Sequence, residues 1–371
     1  MAMSKADAAR MLEALCRLMI GPGYLGEVAR EVERSGLARA LAEGDADLIY
    51  DHLMLSLSMQ GISDDIALGY IIRYGNATRS DIRAALDRSR CACPKLAGFE
   101  AYTGCRYRKA ERTCARPQHL RLCPVRKPPL RKGLLNIQAH ALHFFLRDVC
   151  QDDLAGFIDR VIGEAISTPQ SAPASEAAGR GSPCERPEGP SGRADAVLAP
   201  EAVLAARDAL LGEFTRVSGV SAKLANMVLA DILLGTRPDD LRWRSIGAAM
   251  CTVDVLVHKF LDRTGILAAF RLDHAYGPRC YRSDGCDGVI AQLAKSVSVR
   301  RIDPAYPDYF PRLLELAIWR FCAENQHGIC RTRAVGKARP CKQRQHCPIA
   351  RHCAHAKARR RKPGEPKKGT T

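Results

Sequence analysis

The sequence predicts an all-α protein, on three observations. Apolar residues recur at helical spacing in segment after segment. Capping residues and Gly or Pro stops bracket those segments. No run of alternating apolar and polar residues exceeds a few positions, so a sheet has no source. With 371 residues the chain can bury a large core, and two domains are expected.

The elements follow in order. Ala6 to Leu18 has a helical apolar stripe and ends at Gly21-Pro22-Gly23. Leu48 to Met59 is a second apolar helix. Asp64 or Asp65 caps a third through Tyr74, stopped by Gly75; Ser80-Asp81 starts another, with Leu86 as its last core position. Leu134 to Val149 and Leu154 to Ile166 continue the pattern. Thr168 to Pro200 is rich in Ser, Pro, Gly, Ala and charge and reads as a flexible surface excursion. Pro200 suits the first turn of a helix to Phe214. After a Ser218-Gly219-Val220-Ser221 turn, Leu224, Ala225, Met227 and Val228 give a helix buried on most sides. Asp254 is a good N-cap for Val255 to Thr264, which Gly265 stops. Val257, Phe260 and Leu261 should face the core there, and His258, Lys259, Asp262 and Arg263 outward. Pro311 opens a helix over Leu313 to Cys322.

Composition narrows the function. Apolar stretches such as Leu224 to Leu234 are too short for a bilayer and are broken by Asn226 and Asp231, so no membrane partner is expected. The N-terminus lacks the apolar core of a secretory signal. A cytoplasmic protein is therefore expected, nucleoid-associated if bacterial. The net charge is +17, and Arg331 to Thr371 holds fourteen Lys and Arg against the single acid Glu365. Such a patch favours a polyanion, with nucleic acid ahead of a merely solubilising tail. Sixteen cysteines in a cytosolic chain suggest metal or iron–sulfur ligation rather than disulfides. Cys16, Cys150 and Cys251 sit in apolar helical contexts and read as small core residues.

Two segments carry chemistry. The Val217-Ser-Gly-Val-Ser-Ala-Lys223-Leu-Ala-Asn226 run is a tight turn opening a helix, with backbone N–H groups of Ser218, Gly219, Val220 and Ser221 suited to one DNA phosphate. Lys223 lies one turn into that helix and is a candidate nucleophile. The second segment, Val253-Asp254-Val-Leu-Val-His258-Lys259, places a carboxylate at a helix start.

These segments resemble the endonuclease III-like DNA glycosylases, built on a helix-hairpin-helix. Gly219, Val220, Lys223, Ala225, Asn226, Val253, Asp254 and Val257 match that family's pattern, with Lys259 in place of an arginine. The resemblance implies a two-lobed fold, with Lys223 attacking the sugar and Asp254 assisting. It extends to Leu55 to Gly75, which makes Gln60 a candidate wedge into the duplex, and to Gly133-Leu-Leu-Asn-Ile-Gln-Ala139. Cys330, Cys341, Cys347 and Cys353 resemble the family's [4Fe–4S] loop in order, basic setting and last interval; their first two intervals are longer. Two serines replace the turn's proline and second glycine. Lys223 and Asp254 are 31 apart, about a dozen more than the family norm, so Thr236 to Gly247 is expected to loop out near the cleft.

A second cysteine set has no counterpart in that resemblance. Cys93, Cys105, Cys114 and Cys123, with Cys91 beside them, lie in a strongly basic insertion and could hold a second iron–sulfur cluster or a zinc ion. Cys280 and Cys286 form a weaker pair, read as loop residues.

The organisation expected is N-terminal helices over 1–47 that pack with the C-terminal lobe, the start of a helical barrel over 48–90, and the cysteine-rich insertion over 91–133. Barrel helices over 134–167, a linker over 168–199, and barrel helices carrying the hairpin and catalytic residues over 200–265 follow. A C-terminal lobe over 266–329, the iron–sulfur loop over 330–353 and a basic tail over 354–371 complete it. The function expected is base excision with strand cleavage, by a monomer acting on double-stranded DNA with a damaged base or abasic site. A glycosylase without strand cleavage and a non-catalytic iron–sulfur DNA-binding protein are the alternatives.

Overall fold

The computed structural model describes residues 3–58, 64–108, 111–127, 130–167, 198–330 and 345–353. Gln60, Cys184, Cys341, nearly all of the linker and the whole basic tail lie outside these residues. The described residues are mostly helical and form no strand. Their α-helices are α1 Lys5–Met19, α2 Tyr24–Arg34, α3 Leu37–Glu43, α4 Ala46–Ser58, α5 Asp64–Tyr74, α6 Arg79–Asp87, α7 Phe99–Tyr102 and α8 Asn136–Phe144. The chain continues through α9 Leu154–Ser167, α10 Pro200–Thr215, α11 Ala222–Gly235, α12 Leu241–Ala248, α13 Val255–Thr264, α14 Ile266–Ala269, α15 Cys286–Ala294 and α16 Pro311–Cys322.

Local chemistry accounts for the ends. Pro200 sits in the first turn of α10, where its missing N–H has no helical partner to lose. The Thr78 hydroxyl and the Asp81 carboxylate cap α6 reciprocally. Asp254 accepts from the Leu256 and Val257 amides at 2.8 and 2.9 Å, and Gly265 ends α13 with φ +83°.

These helices bury two hydrophobic cores. The first is built mainly from α3, α4 and α8 to α12, with Val32 of α2. The second takes α1 and Tyr24 together with α13, α14, α15 and α16. The chain passes between them at 248–253: Ala249 and Met250 belong to the first core, Cys251 and Val253 to the second. This packing does not follow the sequence boundaries throughout. Of the N-terminal helices, α1 lies along the C-terminal ones and α2 touches them only through Tyr24 and Glu27, while α2 and α3 pack mainly on α11 and α4. Helix α13, expected with the barrel, buries Val257, Phe260 and Leu261 in the second core.

The expectation that Thr236 to Gly247 loops out is wrong. Asp240 caps α12 through the Arg242 and Trp243 amides, and Trp243 is fully buried with its indole N–H donating to Asp159 at 2.7 Å. A Cβ on Gly247 would lie 2.9 Å from both Leu233 Cβ and Leu234 Cγ, so α12 docks tightly on α11. Truncating an aromatic of this burial typically costs about 3–5 kcal/mol, which is why the added segment folds in rather than out. Cys16, Cys150 and Cys251 are buried in helical surroundings.

Candidate functional site

The hairpin is α10, the turn at 216–221 and α11. Gly219 takes φ +89°, a conformation that L side chains rarely adopt, and a Cβ there would stand 3.3 Å from Gln138 of α8. The Val220 amide is spent closing the turn onto the Val217 carbonyl at 2.9 Å, so it is not available to a phosphate as expected. The Ser221 hydroxyl caps α11 by accepting from the Leu224 amide. Gly219 and Ser221 remain exposed at the helix N-terminus, Ser218 is half-buried and Val220 is buried.

Lys223 and Asp254 are both half-buried. They make no ion pair with each other, and Asp254 uses Oδ1 to cap α13. A residue that sequence reasoning passed over relates them. Glu315 of α16 is buried and accepts from the Thr252 amide at 3.3 Å. Burial pushes its carboxyl up to about 8; Arg312 and Lys223 oppose that rise and the charge of Asp254 adds to it. Both sequence-predicted residues therefore act electrostatically on one buried acid. The signal for Glu315 in the sequence was faint: an acid among apolar positions of a helix.

A cleft of about 380 Å³ opens between the cores; Lys223, Asp254 and Glu315 are not among the residues that line it. Ala222 and Asn226, which flank Lys223 on α11, line one wall; Tyr281, Arg282 and Asp287 line the other. Asn226 donates to the Ala222 carbonyl at 2.9 Å, and its buried Oδ1 has no partner among the described residues. The Tyr281 hydroxyl donates to the Val253 carbonyl, and the Asp254 charge reaches Tyr276 and Tyr281. At the base of the cleft, Arg207 of α10 pairs with Asp287 of α15 at 3.0 Å and also donates to the Ala249 carbonyl, joining the two cores through a buried ion pair.

Thiols gather at three places. Cys93, Cys105, Cys114 and Cys123 line one small cavity with Lys95, Arg106, Arg116 and His119. Among the described residues no three of them bring their sulfurs within 4.8 Å of one another. In the C-terminal loop, Cys330 and Cys347 pack against the second core and Ile349 is buried within it. Cys330 accepts a hydrogen bond from the Cys322 thiol; this and the Arg263 charge hold Cys330 below the ordinary thiol value against its burial. Cys322, at the end of α16, is thus a fifth thiol beside the expected set.

The third place corrects the sequence reading. His258, expected to face outward, is buried, and so are Cys280 and Cys286, read as loop residues. With His274 they form a group whose donor atoms all lie within 4.8 Å of one another and which could hold a metal ion. Helical spacing put His258 on the polar face of α13, but that face is covered by the 270–285 segment.

No family model, curated protein or solved structure matches the chain. No described helix is long and apolar enough to cross a membrane. The molecule is all-α among the described residues and has two cores with a cleft between them; a lysine and an aspartate lie near one buried acid.

Proposed function

We propose that this protein is a DNA glycosylase with lyase activity, acting as a monomer on double-stranded DNA with a damaged base or abasic site. The observation that carries the reading is that Lys223 and Asp254, 31 residues apart in sequence, both lie close enough to the buried Glu315 carboxyl to bias its charge, while Ala222 and Asn226 of the lysine's own helix line an inter-core cleft. The cleft suits a single nucleotide turned out of the duplex. The exposed N-terminus of α11 at Gly219 and Ser221 suits one phosphate.

In this mechanism the Lys223 Nζ attacks the sugar C1′ while the C1′–base bond breaks, the base leaving with the bonding electrons. Asp254 takes the proton released by the amine and stabilises positive charge on the sugar. The C1′–O4′ bond then breaks, O4′ taking up a proton, and the opened sugar is held as a Schiff base that acidifies C2′; loss of a C2′ proton expels the 3′ phosphate oxygen, breaking the C3′–O bond and cutting the strand. The thiols of Cys330, Cys347 and Cys353, with Cys341 completing the set, suit a [4Fe–4S] cluster that stiffens the basic loop against phosphates. In the inserted module no three sulfurs lie within 4.8 Å of one another, whereas a zinc–thiolate tetrahedron has edges of roughly 3.8 Å. That favours a second iron–sulfur cluster over zinc there.

Borohydride trapping on an abasic-site duplex tests the reading. Wild-type protein is expected to form a covalent adduct and Lys223→Ala to form none, with unchanged thermal stability. Base release without nicking would move the assignment to a glycosylase that leaves the strand intact. Wild-type protein that neither releases a base nor traps on any lesion would end it.

A further inference from the structure

We infer that His258, His274, Cys280 and Cys286 form a structural zinc site that clamps the 270–285 segment onto α13, one turn from Asp254. The inference stands apart from the glycosylase reading. The Cys286 Sγ lies 3.3 Å from His258 Nδ1, 3.7 Å from His274 Nε2 and 3.8 Å from Cys280 Sγ. Cys280 Sγ lies 3.6 Å from His258 Nδ1. Zinc bonds of about 2.3 Å to sulfur and about 2.0–2.1 Å to nitrogen at the tetrahedral angle require edges of about 3.8 Å for S···S and about 3.6 Å for S···N. Three of the four edges match within about 0.1 Å, and the His258–Cys286 edge is about 0.3 Å shorter.

Competing explanations fit less well. A disulfide between Cys280 and Cys286 would bring the sulfurs to about 2.05 Å and leave the two imidazoles no reason to converge on them. A two-iron centre of two His and two Cys keeps the histidines on one iron and the cysteines on the other. Here Cys286 approaches a nitrogen of each histidine, which fits a single ion. Two thiolates and two neutral imidazoles also cancel the charge of a divalent ion, as a buried site requires.

The surroundings are built for ligation. His274 Nδ1 can only donate to the Ala275 carbonyl, 3.0 Å away. That bond selects the tautomer whose Nε2 lone pair faces Cys286, the usual support of a metal-bound histidine. The backbone leading to Cys286 is tightly folded: a Cβ on Gly285 would stand 1.8 Å from the Arg279 carbonyl oxygen. The ligands come from α13, the 270–285 segment and the start of α15. Between them that segment carries Tyr276 and Tyr281, the latter bonded to the Val253 carbonyl at the cleft wall. An ion here would hold that wall in place.

The test is metal analysis of the full-length protein, purified without chelator. Wild type is expected to retain about one zinc per chain, distinct from its iron, through dialysis. Cys280→Ser/Cys286→Ser and, separately, the half-exposed His274→Ala should lose that zinc with iron content unchanged. Cobalt(II) loaded into wild type should give thiolate charge-transfer and tetrahedral ligand-field bands, a readout independent of how the variants fold. Zinc content unaltered in both variants, an octahedral cobalt spectrum, or two thiols that react only after a reductant is added would each overturn the assignment.

Discussion

The inserted cysteine module and the His258 group are opposite ways of assembling soft donors. In the module, Cys91, Cys93, Cys105, Cys114 and Cys123 crowd one stretch of sequence, yet no three sulfurs approach within the span one ion needs. In the His258 group, four ligands drawn from three elements, with only two cysteines among them, meet within 4.8 Å. Cysteine density in a sequence thus points to a site but not to its nuclearity. The distances between sulfurs decide that, and they are set by which elements pack together.

The widest separation between the two regions is expected in stability. Replacing Cys280 and Cys286 by serine should cost more than about 4 kcal/mol in urea denaturation, because it removes a cross-link among three elements of the second core. Replacing Cys105 and Cys114 should instead remove iron and visible absorption, read by iron and sulfide counts, while the second core keeps its stability. If the module variant loses zinc rather than iron, the contrast collapses.

The ion pair that joins the cores offers the next test. Arg207→Met leaves Asp287 buried and unpaired, which typically costs about 3–5 kcal/mol. Loss of coincidence between near-UV circular dichroism and tryptophan fluorescence would show the two cores unfolding separately; Trp243 reports on the first. A single coincident transition would show that other contacts couple them.

Glu315→Gln is the smallest of these changes and bears on the acid shared by Lys223 and Asp254. Burial raises the Glu315 carboxyl from 4.5 to about 8, so the folded state binds its proton more tightly than the unfolded chain does. The stability linked to that proton is complete below pH 4.5 and is lost as pH rises through 8. The variant lacks this dependence. Its stability relative to wild type should rise across that window and level off above it. Parallel curves would place Glu315 in contact with water.

Much of the fold was legible because its signals are local. Pro200, Asp254, Gly265 and Pro311 mark helix ends through their own backbone chemistry, and α10, α13 and α16 begin or end where these residues direct. The seven-residue α3 and the added α12 left weaker traces, since short helices owe most of their stability to packing. Lys223 and Asp254 stood out through the segments around them. Glu315 and His258 did not, because one acid or one imidazole on a helix carries no mark of what will cover it.

The amino-acid sequence by itself determined the all-α class, the hairpin turn, the caps and the basic, cysteine-rich character of the chain. Only the tertiary structure decided that α13 belongs to the second core, that the segment before α13 packs inward, and that two histidines and two cysteines meet. Propensity and capping act within a few residues. Convergence of side chains from distant elements depends on which apolar faces find each other, and that is settled by the whole core at once.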